Sequence, residues 1–561
     1  MDFMSNPWIQ FKNMSFTYEG AGRRALKNIN LTFYRGEKVL IIGANASGKS
    51  TLVRALRGKL ATDEFQGTIE GEIINYDLEM ETMDATAMAD AVDHHLEETL
   101  EENGKRKRSS DYIRNFSEEL KHRILEHPIE ANTSLERLSE GQRDIQNFVN
   151  NVNYEQSVFI FDEPLANLAP RAGQIFIDLV DDIHHNTDAT IVMVDYRIEE
   201  VLYRPVDRVI VLSEGRIIFD GDSEKLLKRN ILNSLGVGEP AYVSAIRYTG
   251  YPLDKVRNIS NVNYLHGPDL KRTIESWLMT VPNFVQKRSD QPILTLDNVS
   301  YTYPWRDQPT LRNISTQVFK GDMIAIVGKN GSGKSTLGQM MDGNIRPDSG
   351  TMTWLGEEVT DDNLCQMKQE TVYIQQNIDQ SILDFTVKDY LNGIAANCNY
   401  SAEEAEEVIR DSLKRTGLIY AAELQIGQLS FGQQKRIMLS SALINQPSLL
   451  IIDEPSEGQD YHHYNEFMQY LYQINQEQEI AIIINTHNTD LVLEFTRHAW
   501  VLSEGELIAD TQPIRIATDY RLIQRAFLRE SNLYIFARQI GLIDPYNFIK
   551  KFMDYHREVN R

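Results

Sequence analysis

Two nine-residue segments repeat one pattern of glycines, a lysine and hydroxyl side chains: GANASGKST at residues 43–51 and GKNGSGKST at residues 328–336. In a GxxxxGK[ST] loop between a strand and a helix, the glycines let backbone N–H groups face phosphates, the lysine reaches the terminal phosphates, and the hydroxyl ligates magnesium. The pattern therefore predicts two sites for a phosphorylated nucleotide with Mg²⁺. The predicted phosphate-loop residues are Gly43, Asn45, Ser47, Gly48, Lys49, Ser50 and Thr51 in the first copy, and Gly328, Asn330, Gly331, Ser332, Gly333, Lys334, Ser335 and Thr336 in the second.

A pair of carboxylates follows each loop. Asp162 and Asp453 end apolar runs, 113 and 119 residues after the loop lysines, and Glu163 and Glu454 come next. Each aspartate can hold the hydration shell of magnesium together with the loop serines, and each glutamate can orient the attacking water. A simple turn after a strand is the alternative interpretation. Both aspartates lie 23 residues after the serine of an LSxGQ segment, and this shared spacing favours phosphoryl transfer.

The elements that must position these residues are also duplicated. Matching segments lie 285 residues apart up to the phosphate loop and 291 apart from LSxGQ onward, so the chain is a tandem repeat. Runs of four to six apolar residues, such as KVLII and MIAIV, predict buried parallel strands of an α/β fold. The acidic stretch before each LSxGQ predicts a helical subdomain. The predicted domains are 1–230 and 292–515 for the two repeats, with an inter-repeat segment at 231–291 and a C-terminal helical segment at 516–561.

Composition excludes several classes of protein. The formal charge of −24 argues against a broad nucleic-acid surface, and two cysteines exclude a disulfide scaffold or a multi-cysteine metal cluster. No apolar stretch approaches the roughly 20 residues of a membrane span, and the N-terminus lacks the features of a signal peptide. We therefore expect a cytosolic protein that reaches a membrane only through a partner.

The segments LSEGQ (138–142) and LSFGQ (429–433), with the loops and carboxylates, resemble the ATP-binding-cassette (ABC) ATPases, whose signature is LSGGQ. The resemblance covers about 450 residues. It implies two P-loop NTPase cassettes, each with a RecA-like parallel-sheet core and a helical subdomain. It also implies two ATP molecules with Mg²⁺, sandwiched between cassettes that pair within one chain. The residues that it assigns to adenine stacking are Tyr18 and Tyr303, and those that it assigns to γ-phosphate contact from the opposite cassette are Ser139, Gly141, Ser430 and Gly432. The signature glutamines Gln142 and Gln433 are also predicted to bind the nucleotide.

The resemblance also indicates that the two sites differ. The family's switch histidine matches His487, 34 residues after Asp453, whereas Tyr196 holds the corresponding place after Asp162. The glutamine that links magnesium to the membrane partner matches Gln376, and residues 85–91 of the first repeat contain no glutamine. For that glutamine, a local insertion is an open alternative. An aspartate after the Asp–Glu turn matches Asp460, and its counterpart is Ala169. The predicted catalytic residues are Glu454, His487, Gln376 and Glu163, and the predicted magnesium residues are Ser50, Asp162, Ser335, Gln376 and Asp453.

Three functions compete at this point: the ATPase of a membrane transporter, a ribosome factor, and a DNA-repair or chromosome protein. The 231–291 segment lacks the basic helical linker typical of ribosome factors, and the chain lacks the zinc cysteines or long coiled coils of repair cassettes. Within transport, the segments ALKNINLTFYRGEKVLIIG and QNIDQSILDFTV resemble the fused ATPases of energy-coupling-factor (ECF) importers for vitamins or transition-metal ions. This resemblance implies a membrane scaffold and a substrate-binding membrane subunit as partners, at the cytoplasmic face of the cell membrane. A soluble tandem-cassette ATPase acting on ribosomes or nucleic acid is the alternative.

Overall fold

The computed structural model describes residues 6–62, 65–76, 158–165, 168, 170–187, 189–282, 289–329, 331–376, 378–398, 400–456, 461–526 and 528–559. The chain divides into two compact units. One comprises residues 1–268 with 460–462, and the other comprises residues 269–459 with 463–561. Each repeat of the sequence therefore builds most of one unit.

The first unit contains eight described strands and five described α-helices. The strands are β1 (Pro7–Tyr18), β2 (Leu26–Tyr34), β3 (Lys38–Ile42), β4 (Gly67–Asn75), β5 (Val158–Asp162), β6 (Thr190–Val194), β7 (Arg208–Ser213) and β8 (Arg216–Gly221). The helices are α1 (Lys49–Leu56), α2 (Pro170–Asn186), α3 (Ile198–Val201), α4 (Ser223–Lys228) and α5 (Ala241–Tyr248).

These strands form two sheets. An antiparallel sheet has the order β2-β1-β4, and a five-stranded sheet has the order β5-β6-β3-β7-β8. In the larger sheet only β8 runs antiparallel to its neighbour. All five residues of β3 are buried, as expected for the central strand of a sheet covered on both faces. The first phosphate loop follows this central strand, and Asp162 ends β5, so both lie at the carboxyl edge of the sheet, where α/β folds bind ligands.

The second unit repeats this plan. Its strands are β9 (Pro292–Tyr301), β10 (Leu311–Phe319), β11 (Met323–Val327), β12 (Ser349–Trp354), β13 (Glu357–Glu358), β14 (Thr371–Ile374), β15 (Leu449–Asp453), β16 (Ala481–Asn485), β17 (His498–Ser503) and β18 (Glu506–Thr511). Its helices are α6 (Leu270–Thr280), α7 (Lys334–Met341), α8 (Leu364–Glu370), α9 (Val387–Ala395), α10 (Ala402–Arg415), α11 (Phe431–Ile444), α12 (Tyr461–Gln478), α13 (Thr489–Phe495), α14 (Pro513–Thr518), α15 (Tyr520–Arg525), α16 (Asn532–Gln539) and α17 (Pro545–Val559).

The sheets of the second unit have the orders β10-β9-β12-β13 and β14-β15-β16-β11-β17-β18. Five strands of the larger sheet are parallel, and β18 is antiparallel. The central strand β11 again leads into a phosphate loop. The predicted fold class, an α/β architecture of two P-loop cassettes with parallel-sheet cores, is confirmed.

A helical subdomain of the second unit is built by α9, α10 and α11. Its core contains Val387, Leu391, Leu413 and Ile437, all buried. The capping box at Ser401 fixes the start of α10, because its side chain and that of Glu404 satisfy orphan N–H groups reciprocally. The corresponding part of the first repeat lies outside the described residues.

The segment between the repeats divides between the two units. Residues 231–268, with α5, belong to the first unit, and α6 belongs to the second. There α6 packs on α17, where Trp277 meets Tyr555 edge to face and Lys551 Nζ donates to Leu278 O at 2.7 Å. The predicted domain boundaries stay a prediction. No described helix is both long enough and apolar enough to span a bilayer.

Candidate nucleotide sites

Both phosphate loops have one backbone geometry that requires glycine at two points. A Cβ atom at Gly43 would lie 2.3 Å from Leu212 O, and one at Gly328 would lie 2.2 Å from Leu502 O. The glycine before each loop lysine has a φ of 105°, in the left-handed region that L side chains rarely adopt. The glycines therefore let the first loop lie close to strand β7 and the second close to β17. Helices α1 and α7 both begin at the loop lysine.

The loop lysines are buried and bonded to their own loops. Lys49 Nζ donates to Gly43 O at 2.8 Å and to Ala44 O at 2.9 Å. Lys334 Nζ donates to Gly328 O at 2.9 Å and to Lys329 O at 3.2 Å. Burial lowers the pKa of Lys334, although the carboxylates after β15 oppose this shift. Each ammonium is thus held over the loop, where an incoming phosphate can replace the carbonyl oxygens.

Hard oxygen atoms converge beside the second loop. Ser335 Oγ donates to Asp453 Oδ2 at 2.8 Å, and Tyr373 OH donates to the same oxygen at 2.7 Å. Hydroxyl and carboxylate oxygens are the donors that Mg²⁺ prefers, so this cluster fits the predicted ion. Gln376 follows β14, two residues after Ile374, and is half-buried.

Glu454 has the geometry of a water-orienting carboxylate. It is buried, and its φ of 43° is a left-handed conformation that is strained for a non-glycine residue. His487 Nδ1 lies 2.9 Å from Glu454 Oε1, and Lys435 Nζ donates to the backbone oxygen of Glu454 at 3.1 Å. Among the described residues, the other carboxylate oxygen, Oε2, is buried without a hydrogen-bond partner. Burial raises the pKa of Glu454, but His487 and Lys334 outweigh it and lower the pKa overall, which keeps the carboxylate ionised.

The first site has the same backbone geometry as the second site but different side chains. Glu163 has a φ of 50°, and its N–H donates to Val194 O at 2.8 Å, as that of Glu454 does to Asn485 O at 2.9 Å. Tyr196 takes the place of the histidine. Burial raises the pKa of its phenol, and the negative charge of Glu163 adds to this shift, so the side chain stays neutral. Asp162 and Ser50 are exposed, in contrast to buried Asp453.

The two predicted adenine-stacking tyrosines have different neighbours. Tyr18 OH lies 3.0 Å from Thr51 Oγ1 and accepts a hydrogen bond from Arg54 at 2.6 Å. Tyr303 OH lies 3.3 Å from Thr336 Oγ1, and the ring stacks on that of Trp305 with centroids 4.7 Å apart. The Trp305 side chain is 76% exposed, so it is free to move against a bound base.

The described signature segment opens a helix. Ser430 caps α11 in a capping box with Gln433, and Gly432 is buried in its first turn. Gln433 Nε2 also donates to Tyr420 OH at 2.9 Å. The predicted signature residues Ser139, Gly141 and Gln142 lie outside the described residues, as do Asn330 in the second loop, Ala169, Asp460 and residues 85–91.

Sequence reasoning missed three groups that the fold brings to these sites: Tyr373, Lys435 and Trp305. Tyr373 is one of four residues in β14, which pairs with β15, so its place beside Asp453 depends on strand order. Lys435 lies five residues after Ser430, and the orientation of α11 carries it to Glu454. Trp305 had a local sequence signal, because it lies two residues after Tyr303, the predicted adenine-stacking residue. The first repeat has Gly20 at the equivalent position.

Comparisons with known proteins agree with this geometry. A family model described as "ABC transporter" matches residues 26–166 and 311–457, and one described as "ATP-binding cassette cobalt transporter" matches residues 229–301. A putative ABC transporter ATP-binding protein of Enterococcus faecalis is 35% identical over 99% of this chain and 100% of its own length. One from Lactiplantibacillus plantarum is 33% identical with the same coverage. Among solved structures, cbiO1 of Clostridium perfringens, part of the ABC transporter complex cbiONQ, is 28% identical over 43% of this chain and 96% of its own, with a TM-score of 0.39.

Proposed function

Because the chain belongs to the ABC transporter family and is an ATP-binding, ATP-hydrolysing subunit of that family, we propose that it energises an ECF-type importer for a vitamin or a transition-metal ion. The match of residues 229–301 to a cobalt-transporter model supports this class of importer. The similarity to a protein that is part of cbiONQ supports a membrane assembly as partner. The proposed partners are a membrane scaffold and a substrate-binding membrane subunit, and the proposed location is the cytoplasmic face of the membrane.

Hydrolysis at the second site follows from the side chains beside its loop. Lys334 exchanges its carbonyl partners for the terminal phosphates of ATP, and Glu454 orients the attacking water through Oε2, the oxygen that has no hydrogen-bond partner among the described residues. His487 holds the other carboxylate oxygen and fixes the direction of Glu454. Mg²⁺, held by Ser335, Asp453 and Gln376, would neutralise charge on the phosphates.

Two ATP molecules are proposed to bind between cassettes of one chain. In this arrangement Ser139, Gly141 and Gln142 complete the second site, and Ser430, Gly432 and Gln433 complete the first. The capping box at Ser430 supports the role of the second signature, since it holds this serine and the first-turn N–H groups of α11 in a defined geometry.

The observation that carries the transport proposal is an apolar patch on the helical subdomain. We define the docking patch as Phe385, Ile419, Tyr420 and Leu424, which are 52%, 52%, 63% and 41% exposed. Backbone hydrogen bonds bring Phe385 beside Leu424, because Ile426 N donates to Phe385 O and Val387 N donates to Leu424 O, both at 3.0 Å. Ile419 and Tyr420 belong to the same short stretch of chain as Leu424. Exposed apolar groups gathered in this way mark binding surfaces. The bond from Gln433 to Tyr420 joins the patch to the signature helix, so a membrane subunit bound here can respond to ATP.

The test is membrane association of the double variant Phe385→Asp, Ile419→Asp. Leu383 is unsuitable for substitution because it packs half-buried against the subdomain core and its backbone oxygen accepts from Gly427. Two buried carboxylates at an interface would cost several kcal/mol, enough to release the chain from membranes. Tyr520→Asp is the matched control, because Tyr520 is 71% exposed on α15, outside the patch.

We expect the double variant to leave the membrane fraction and still bind ATP, with the control unchanged. Membrane association equal to wild type in the double variant would refute docking at the patch.

A further inference from the structure

A short turn between the repeats lies against the first phosphate loop. We define the inter-cassette turn as Asn233–Val237. Gly236 in this turn has a φ of 74°, and a Cβ atom added there would lie 3.3 Å from the Cβ of Ala44. Ala44 is the second residue of the phosphate loop, and its backbone oxygen accepts from Lys49. The turn therefore contacts the part of the loop that holds the lysine.

The same segment also contacts the turn that carries Tyr196. The backbone N–H of Ala241, the first residue of α5, donates to Glu199 Oε2 at 3.1 Å. Glu199 lies on α3, three residues after Tyr196. Six residues of one segment, from 236 to 241, thus lie beside both the phosphate loop of the first site and α3, which begins two residues after Tyr196.

The segment is anchored firmly enough to act as a fixed support. Leu232, just before the turn, and Val237, its last residue, are 1% exposed each. Glu239 accepts from Arg247 Nε at 3.0 Å, and Arg247 also donates to the backbone oxygens of Leu227 and Arg229 at 2.8 Å. Charge-assisted bonds of this kind are roughly twice as strong as neutral ones. Arg247 thus ties Glu239 to the residues just before the turn, and the N–H of Glu239 donates to Asn233 Oδ1, in the turn itself, at 3.3 Å.

The second phosphate loop has a different residue at the position of Ala44. Lys329 stands there, with a side chain that is 31% exposed and lies 3.7 Å from Glu504. A small apolar residue suits contact with a packed turn, whereas a charged side chain reaches toward water. The small side chain of Ala44 therefore allows a turn to pack on the first loop, whereas Lys329 would not allow the same contact at the second.

We propose that the inter-cassette turn is a positioning element of the first nucleotide site, which holds the loop and the Tyr196 turn in their nucleotide-binding arrangement and slows nucleotide release. The proposal rests on nucleotide binding at the first loop. Release requires the loop to loosen around the phosphates, and a loop supported from outside must first break its contact with Gly236. The turn thereby makes the first site release its nucleotide slowly.

The test measures release of fluorescent mant-ADP from the full chain with Mg²⁺, chased by excess ATP in a stopped-flow instrument. Lys334→Ala confines binding to the first site, and Lys49→Ala confines it to the second. Two variants loosen the support: Glu199→Gln weakens the bond to Ala241, and Gly236→Ala, in a strained backbone, pushes a methyl group toward Ala44 and His462, whose Cβ atoms would lie 3.3 and 3.4 Å away. Each should raise release from the first site about tenfold, equivalent to about 1.4 kcal/mol, and leave the second unchanged.

Glu224→Gln is the matched control. Glu224 lies on α4 and accepts a hydrogen bond at 3.3 Å from the N–H of Ser260, which belongs to the inter-repeat segment but lies outside the turn. The control should leave release from both sites unchanged. Wild-type release rates in both loosening variants would overturn the proposal, as would an equal rise in the Glu224→Gln control. Absence of mant-ADP binding in the Lys334→Ala background would overturn its premise. The assay contains no membrane, so its outcome is separate from that of the docking test.

Discussion

The two sites should contribute unequally to ATP hydrolysis, and the variants Glu454→Gln and Glu163→Gln should reveal it. Glutamine keeps the size of glutamate but removes the negative charge that accepts a proton from water. At the second site, Glu454 is fixed by His487 at 2.9 Å, and its Oε2 has no hydrogen-bond partner within the part of the chain that the structure describes. At the first site, the group beside Glu163 is Tyr196, whose pKa is raised by burial so that it is neutral and cannot replace an imidazole.

The magnitude follows from the missing group. Loss of one positioned polar group at such a site costs about 10²–10³-fold in rate, or roughly 3–4 kcal/mol. The first site should therefore supply on the order of 1% of wild-type turnover. Glu454→Gln should abolish nearly all hydrolysis, and Glu163→Gln should leave most of it.

The assay is phosphate release by the purified full chain at saturating ATP and Mg²⁺, with mant-nucleotide binding as the control for intact sites. An equal loss of activity in both variants would show that the sites are equivalent or tightly coupled, and would refute the reasoning from Tyr196.

Two further predictions concern the second unit. Burial raises the pKa of Asp342 to about 6, so the native state binds more protons than the unfolded state between about pH 4 and 6, and ionisation costs roughly 2–3 kcal/mol of stability above that range. Asp342→Asn should therefore raise the urea midpoint at pH 7.5, with a gain that vanishes as the pH falls toward 4; an equal gain at both pH values would contradict this. Stacking of a base beside Tyr303 should change tryptophan fluorescence, because Trp305 is exposed, whereas Trp8, Trp354 and Trp500 are buried and Trp277 is half-buried against Tyr555. Trp305→Phe should remove most of that change on ATP addition, and an undiminished signal would place the base elsewhere.

The parts of the fold and site that could be predicted are those specified by short sequence patterns. The loops at 43–51 and 328–336 and the carboxylates after β5 and β15 need only local spacing, since a central strand leads into each loop. The duplication also made the difference between His487 and Tyr196 visible, because equal offsets identify equivalent positions.

The contacts that could not be predicted depend on which elements become neighbours. Tyr373 reaches Asp453 because β14 pairs with β15, although 74 residues lie between the end of β14 and the start of β15. The contact of Gly236 with Ala44 comes from a segment without a repeat partner, so no second copy could indicate its position. The docking patch also depends on the fold, because the apolar residues after Gln376 do not by their pattern separate exposed Phe385 from Leu383, which packs against the subdomain core.

The most direct test of the central claim is affinity purification of the tagged chain from solubilised membranes, with the co-purifying proteins identified by mass spectrometry. We expect two integral membrane proteins in near-stoichiometric amounts, a scaffold and a small substrate-binding subunit, both lost in the Phe385→Asp, Ile419→Asp variant. Recovery of the chain with ribosomes, and with no membrane protein, would contradict it.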